Sequence, residues 1–393
     1  MKKLFIVGAS SLQLPAILKA KEMGLYVVVA DYDPLAAGIP YADEFYNVST
    51  IDEDGICEAA KACNADGIMT LATDMPMRSV AKASEKLGLH AISYETAIRA
   101  TDKYYMIKAF KEHDIPSPWY FTVSSLSELE ILQDRLSFPC IMKPTDNAGS
   151  HGVVLVSTIK ELLDSYEYSL QYSRGGNVII EEYLQGQEVS VEVMVIDGEV
   201  HILQITDKLT TGAPYFVEMG HSQPSCHSES VLEKIRQVTI SAVQAIGINM
   251  GPAHVEMMLT TRGPVMIELG ARMGGDNITT HLIPLSTGID MVQATIKLAL
   301  GEKPNIEPML CCGAAIRYFD LPFGIISSIC GVKETEAIEG IKQITFVKTI
   351  GDKSNPIHCS NDRGGFVIAQ ASSAKEAVCL CEKAIKKIKI EIK

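Results

Sequence analysis

The sequence is short of cations. Its 35 Lys and Arg face 48 Asp and Glu, a net charge of −13. Without clustered positive charge, a nucleic-acid or anionic-membrane protein is a poor reading. The deficit still permits a local cationic pocket for a small anion. Paired cysteine is also missing: the ten cysteines, from Cys57 to Cys381, show no CxxC and no metal-knuckle spacing. That argues against a zinc ribbon and for free thiols in a reducing cytosol. No apolar run approaches the ~20 residues of a membrane span. The opening run Leu4–Val7 is too short for a secretory leader and reads as a buried strand. Neither an internal repeat nor a low-complexity linker is visible. What is present is core: 47% of the 393 residues are hydrophobic and 21% charged, enough for two or three domains.

The first 95 or so residues alternate strand and helix. A strand ends at Gly8, Leu14, Ile17 and Leu18 follow at helical spacing, and a second strand runs from Tyr26 to Ala30. A helix near 54–63, a strand near 67–71 and a helix near 76–87 complete a doubly wound parallel pattern. The first strand–helix junction, Gly-Ala-Ser-Ser-Leu-Gln, has one glycine where a dinucleotide fingerprint needs three. A plain doubly wound unit is therefore expected, although Asp31 and Asp33 stand at ribose distance. Thr101 is expected to cap a helix from Asp102 to about His113, and Ser125 with Glu128 reads as a capping box.

From residue 138 the pattern turns to strands: 138–143, 153–156, 177–181, 187–196 and 199–206, with Asp197-Gly198 as a hairpin turn. A polar loop is expected over about 207–227, a helix over 229–246 and a hairpin over 253–260 and 264–269. Helices near 277–283 and 287–300 and a closing helix over 373–387 follow. Vicinal Cys311 and Cys312 read as core on an apolar strand.

Three constellations carry chemistry. If the hairpin turn centres on Arg262, Glu256 and Glu268 oppose each other on one face, with His254 and Gly270 as the next pair. Two facing carboxylates repel unless a cation lies between them, and hard oxygen donors suit magnesium. The second constellation is a strand closing on Lys143, followed by the small-residue loop containing Gly149 and Ser150. Backbone N–H groups there can approach a polyphosphate, with Lys143 adding charge; the Walker pattern is absent. The third is Glu181-Glu182-Tyr183-Leu184, a strand end whose backbone can pair with an adenine edge, with Glu188 placed to accept from ribose hydroxyls. Read singly, the last two are also compatible with an ordinary strand end and an ordinary hairpin.

Together and in this order, the pieces resemble the ATP-grasp superfamily of carboxylate–amine ligases over essentially the whole chain. The resemblance implies an α/β protein: a doubly wound N-terminal domain (1–95), a two-lobed α+β ATP-grasp fold (96–305, lid about 117–185) and a small C-terminal α+β tail (306–393). It implies ATP and one or two magnesium ions. Lys103 and Lys143 would contact the phosphates, Glu181 to Leu184 the adenine and Glu188 the ribose. Glu256 and Glu268 would bind the metal, and Arg272 would steady the transferred phosphoryl group. Many members carry Asn two residues after the second metal-binding Glu. Here that residue is Gly270, so either water completes the shell or fewer protein ligands serve.

The stretches Phe216–Pro224, Gly251–Glu256 and Ala271–Gly275 are most similar to the L-amino acid (dipeptide) ligase branch, which implies that Glu218 and His221 lie beside an amino-acid substrate. Biotin carboxylase carries Val-Glu-His after the motif arginine, where this chain has Gly275-Asp276-Asn277. The phosphoribosylglycinamide synthetase branch remains open, though no clear cationic cluster for a ribose phosphate is visible. A nicotinamide dehydrogenase and a non-catalytic nucleotide-binding protein are the non-ligase alternatives. The expected chemistry is attack of a carboxylate on the γ-phosphate and then of an amine on the acyl phosphate, with His221 and Glu218 as candidate bases. The expected partners are small-molecule carboxylate and amine substrates and a second copy of the chain. Nucleic acid and membrane are not expected, and the expected location is cytoplasmic.

Overall fold

The computed structural model describes residues 1–147 and 151–393. The N-terminal sheet is parallel, in the order β3-β2-β1-β4, from β1 (Lys3–Val7), β2 (Tyr26–Ala30), β3 (Glu44–Tyr46) and β4 (Gly67–Met69). A parallel sheet must be covered on both faces. Phe5, Val7 and Val28 face the helices Glu53–Ala62 and Met77–Leu87. Leu4, Ile6 and Val29 face Ile17 and the distant helix Met291–Ala299. At the first strand–helix junction Asp31 accepts from the N–H groups of Ala9 (2.8 Å) and Asp33 (3.0 Å), and Gln13 donates to the Leu71 carbonyl. The geometry is that of a plain doubly wound unit.

A second, antiparallel sheet has the order β5-β8-β6-β7, from β5 (Tyr120–Val123), β6 (Cys140–Pro144), β7 (Val154–Val156) and β8 (Val178–Glu182). It packs on the helices Leu126–Leu132 and Ile159–Leu170 through Val123, Leu129, Leu162 and Tyr166. Ser125 and Glu128 do cap the first of these. Ser125 Oγ accepts from the Glu128 N–H, and the Glu128 carboxylate reaches back to Ser124.

The third sheet has eight strands, β13-β12-β9-β10-β11-β14-β18-β16. They are β9 (Gln187–Ile196), β10 (Glu199–Thr210), β11 (Glu218–Gln223), β12 (Gly251–Thr260), β13 (Gly263–Gly270), β14 (Gly313–Tyr318), β16 (Ile341–Phe346) and β18 (Gly365–Ala371). The tail strands thus extend the same sheet, while β15 (Gly324–Cys330) pairs with β17 (Lys353–Ser354) and β19 (Lys389–Ile392). Alternation along β9 sends Val189, Val191, Val193 and Val195 to a core shared with the helix Glu229–Ile246. Glu188, Ser190 and Glu192 point to the other face.

Three expectations change. Asp102, not Thr101, caps the helix Lys103–Glu112, accepting from the Tyr104 N–H; Thr101 ends a separate helix, Tyr94–Thr101. The loop expected over 207–227 contains the end of β10 and all of β11. Cys311 is exposed and Cys312 half-buried, ahead of β14 rather than in a core. Among the described residues, no helix is long and apolar enough to cross a membrane.

Candidate functional site

A cleft of about 190 Å³ lies between the lid sheet and the polar face of the long sheet. Lys103, Lys143, Glu181, Glu182, Tyr183, Leu184, Glu188, Glu218, Glu256 and Glu268 all line it. Gly149 and Ser150 lie outside the described residues. His221 and Arg272 are not in its lining and stand behind it.

Three bulges aim the side chains, and each shifts the alternation by one residue. Between β12 and β13 the turn is Thr261-Arg262, with Thr260 opposite Gly263, which by plain counting would misalign the two glutamates. An extra residue, Ile267, restores the register, so Glu256 opposes Glu268 and His254 opposes Gly270. In β10 the ladder slips at Leu203, and the continued register brings Lys208 beside Glu188 rather than Gln187. In β11 the extra residue is Met219: Glu218 and His221, three apart, pair with Thr210 and Lys208 and so share one face.

The centre of the floor is a cation that the sequence reading missed. Lys208 is 3% exposed, and its Nζ lies 3.2 Å from Glu188, 3.4 Å from Glu218 and 3.1 Å from Glu256. Burial pulls its ammonium down, but the carboxylates of Glu256, Glu188 and Glu218 hold it well above the usual lysine range. One ammonium cannot serve three carboxylates equally. Burial would raise Glu256, but Lys208 and His254 hold it well below the carboxylate range. Glu188 is raised, because burial and the neighbouring Glu256 outweigh Lys208.

Behind Glu256 is a buried relay. His254 Nε2 donates to Glu256 Oε1 (2.9 Å) and its Nδ1 to Glu192 Oε1 (2.5 Å). Glu192 is fully buried, and its other oxygen has no partner among the described residues. Burial lowers the imidazole, but Glu192 and Glu256 raise it to about 9, so both nitrogens donate and Glu256 is held in place. Such an outer carboxylate–histidine pair is what orients a metal-binding oxygen.

Toward the lid, Lys143 on β6 pairs with Glu181 on the adjacent β8 (2.6 Å). Lys103 pairs with Glu268 (3.2 Å) and donates to the Asn147 carbonyl. Glu182 accepts from Arg262 (2.7 Å). Beyond Tyr183 and Leu184 the chain passes so close to β12 that a Cβ on Gly186 would meet the Leu259 carbonyl oxygen at 2.0 Å; only glycine fits there.

At the opposite end, Arg272 is gripped by Asp74 from the N-terminal domain, with Nε at 3.1 and 3.2 Å and Nη2 at 3.0 Å. Asp276 accepts two hydrogen bonds from Arg363 in the tail (2.8 and 2.9 Å), and His221 Nε2 lies 3.3 Å from it. The Arg363 guanidinium stacks at 3.8 Å over Tyr318 and also donates to the Glu218 carbonyl. Burial opposes ionisation of Asp276, but His221 and Arg363 hold it well below the carboxylate range. His221 is only 1% exposed, with Nε2 turned toward Asp276. Asp276 and Asn277 both have positive φ (51° and 62°), a costly backbone for non-glycine residues that this web of contacts fixes. Arg317, which donates to the His221 and Ile316 carbonyls, is structural.

The residues fit magnesium: Glu256 and Glu268 offer hard oxygens. Among the described residues no cluster of three or more metal-ligating side chains forms. Magnesium at nucleotide sites usually takes one or two carboxylates and completes its shell with phosphate and water.

The ATP-grasp domain family matches residues 136–281, and the family described as L-amino acid ligase C-terminal domain 2 matches residues 317–393. The chain carries an ATP-grasp domain followed by an L-amino acid ligase C-terminal domain. It is 28% identical over 294 residues to alanine–anticapsin ligase of Bacillus subtilis (strain 168), a match covering 69% of this chain and 58% of that one. The L-amino acid ligase from Bacillus licheniformis superposes with a TM-score of 0.86 at 24% identity, covering 100% of this chain and 99% of the other. Phosphoribosylglycinamide synthetase from Anaerococcus prevotii gives 0.80 at 25% identity, with full coverage of both. The biotin carboxylase domain of Hydrogenobacter thermophilus 2-oxoglutarate carboxylase, solved with MgADP and bicarbonate, gives 0.78 at 17%, covering 100% and 91%.

Proposed function

We propose that this ATP-grasp protein activates the carboxylate of one amino acid as an acyl phosphate and joins it to the amine of another. The observation that carries the reading is the acceptor end of the cleft. There the Asp276 carboxylate pairs with the Arg363 guanidinium, which also donates to the Glu218 main-chain carbonyl and feels the charge of the Glu218 carboxylate, so acidic and cationic groups stand together as a zwitterion with one ammonium and one carboxylate requires. The match of the tail to the L-amino acid ligase C-terminal domain supports it. A phosphoribosylamine acceptor is less well served. The neighbouring cavity of about 310 Å³ has Arg78 and Arg174 on its wall, but Glu53, Asp74 and Asp146 as well.

In this reading ATP lies with its adenine against Glu181, Glu182, Tyr183 and Leu184, its ribose at Glu188 and its phosphates at Lys103, Lys143, Gly149 and Ser150. Glu256 and Glu268 hold one or two magnesium ions, which neutralise phosphate charge when bound. Arg272 steadies the phosphoryl group as a substrate carboxylate attacks the γ-phosphorus and ADP leaves. The amine then attacks the acyl carbonyl and expels phosphate. Glu218 is placed to take the amine proton, with His221 acting behind Asp276. Closure of the lid, about 117–185, keeps water from the acyl phosphate. The domains are 1–95, 96–305 and 306–393, the proposed location is cytoplasmic, and a homodimer belongs to the same reading.

The test is phosphate release with ATP, magnesium and pooled amino acids. Release that depends on the amino acids is expected; release only with a phosphoribosylamine substrate would overturn the assignment.

A further inference from the structure

Gly270 is the residue that departs from the superfamily pattern, and the structure shows what occupies the space. A Cβ built on Gly270 would lie 2.7 Å from Asp74 Oδ1 and 3.0 Å from Arg272 Nε. The volume a side chain at 270 would take is filled by a carboxylate from another domain. Asp74 sits in the segment between β4 and the helix Met77–Leu87. Two backbone features hold that segment: Ala72 has φ of 57°, a left-handed conformation rare for alanine, and the Asp74 carbonyl accepts from the Met77 N–H at 3.1 Å.

Asp74 and Arg272 are both 13% exposed in their side chains. The carboxylate takes Nε and Nη2 of the guanidinium, and Nη1 donates to the Met273 carbonyl (3.2 Å). A planar guanidinium held on two edges has a single orientation. Lys103 also feels the Asp74 charge.

We propose that Asp74 is the positioning residue of Arg272: the N-terminal domain inserts its carboxylate into the space that Gly270 leaves open and thereby aims the arginine at the transferred phosphoryl group. The proposal rests on the role given to Arg272 above. It makes the N-terminal domain part of the chemical step and makes Gly270 a requirement of that arrangement.

The test is a double-mutant cycle on ADP formation, with Tm and the ADP affinity of every variant measured in magnesium. Asp74→Asn keeps the shape and removes the charge. It is expected to lower kcat by about 10- to 100-fold, the usual size of an effect from a residue that orients a catalytic group. The KM for ATP and the affinity for MgADP should change by less than about twofold. In an Arg272→Ala background the same substitution should have no further effect, because its action passes through the arginine. Gly270→Asn should reproduce the loss, since the new side chain meets Asp74, and adding Asp74→Asn to it should cost little more. Equal effects of Asp74→Asn with and without Arg272 would overturn the proposal, as would a Gly270→Asn enzyme with wild-type kcat. So would loss of MgADP affinity in Asp74→Asn, which would make Asp74 a metal ligand. If Arg272→Ala alone leaves ADP formation unchanged, the role of Arg272 fails first, and the positioning proposal falls with it. If Arg272→Ala abolishes turnover and Asp74→Asn does not, only the positioning proposal fails.

Discussion

At the nucleotide end of the cleft, charged groups come from neighbouring strands and meet across one or two ladders. Lys143 and Glu181 lie on adjacent lid strands, and Glu188, Lys208 and Glu256 on contiguous strands of the long sheet. At the acceptor end the partners come from different parts of the chain: Arg272 and Asp74 are 198 residues apart, and Asp276 and Arg363 are 87 apart. The first arrangement depends on strand register, the second on how domains dock. Under the proposed function, binding of the nucleotide and choice of the acceptor are therefore expected to be separable by mutation.

The largest effect is expected from Glu268→Gln at the nucleotide end. Removing one preorganised charge from a transition-state site costs on the order of 10²–10³-fold in kcat. ADP formation at near wild-type rate would remove Glu268 from the metal site. Lys208→Met comes next. It leaves three carboxylates facing one another, and breaking a buried charge network costs about 3 kcal/mol, read as a lower denaturant midpoint. A midpoint within error of wild type would mean that Lys208 does not hold the floor together. Third, Arg363→Ala at the acceptor end removes a charge-assisted pair. It should raise KM for the amino acid about tenfold and leave KM for ATP unchanged. Equal changes in both would erase the distinction between the two ends. The smallest effect is expected from Arg262→Ala, whose partner Glu182 lines the cleft. The arginine side chain is 58% exposed, and such a surface pair contributes under about 1 kcal/mol. Calorimetry with ADP should show little change.

The same contrast explains what was legible in the sequence. Glu256, Glu268, Lys143 and Glu181–Leu184 sit in short motifs whose periodicity reveals a strand, and all of them line one cleft. The facing of Glu256 and Glu268 followed from a turn centred on Arg262. The actual turn is one residue shorter, and the Ile267 bulge compensates. Lys208 was not legible, because plain counting from the Asp197-Gly198 turn places it opposite Gln187, on the wrong face; the slip at Leu203 reverses that. Glu218 and His221 looked like loop residues for a related reason, since a bulged strand does not alternate. Asp74 and Arg363 carried no local signal, as each acquires its role only from a partner in another domain. Glu192 is the intermediate case. Its i+4 spacing from Glu188 marks it as inward-facing, and its buried bond to His254 needed the β9–β12 register.

The central claim is that a substrate carboxylate is activated as an acyl phosphate in this cleft. The most direct measurement uses amino acids labelled with ¹⁸O in the carboxylate, with ATP and magnesium, and mass analysis of the phosphate released. Acyl-phosphate activation transfers one ¹⁸O from the carboxylate to each phosphate formed. Phosphate that carries no ¹⁸O, its new oxygen having come from solvent water, would contradict it.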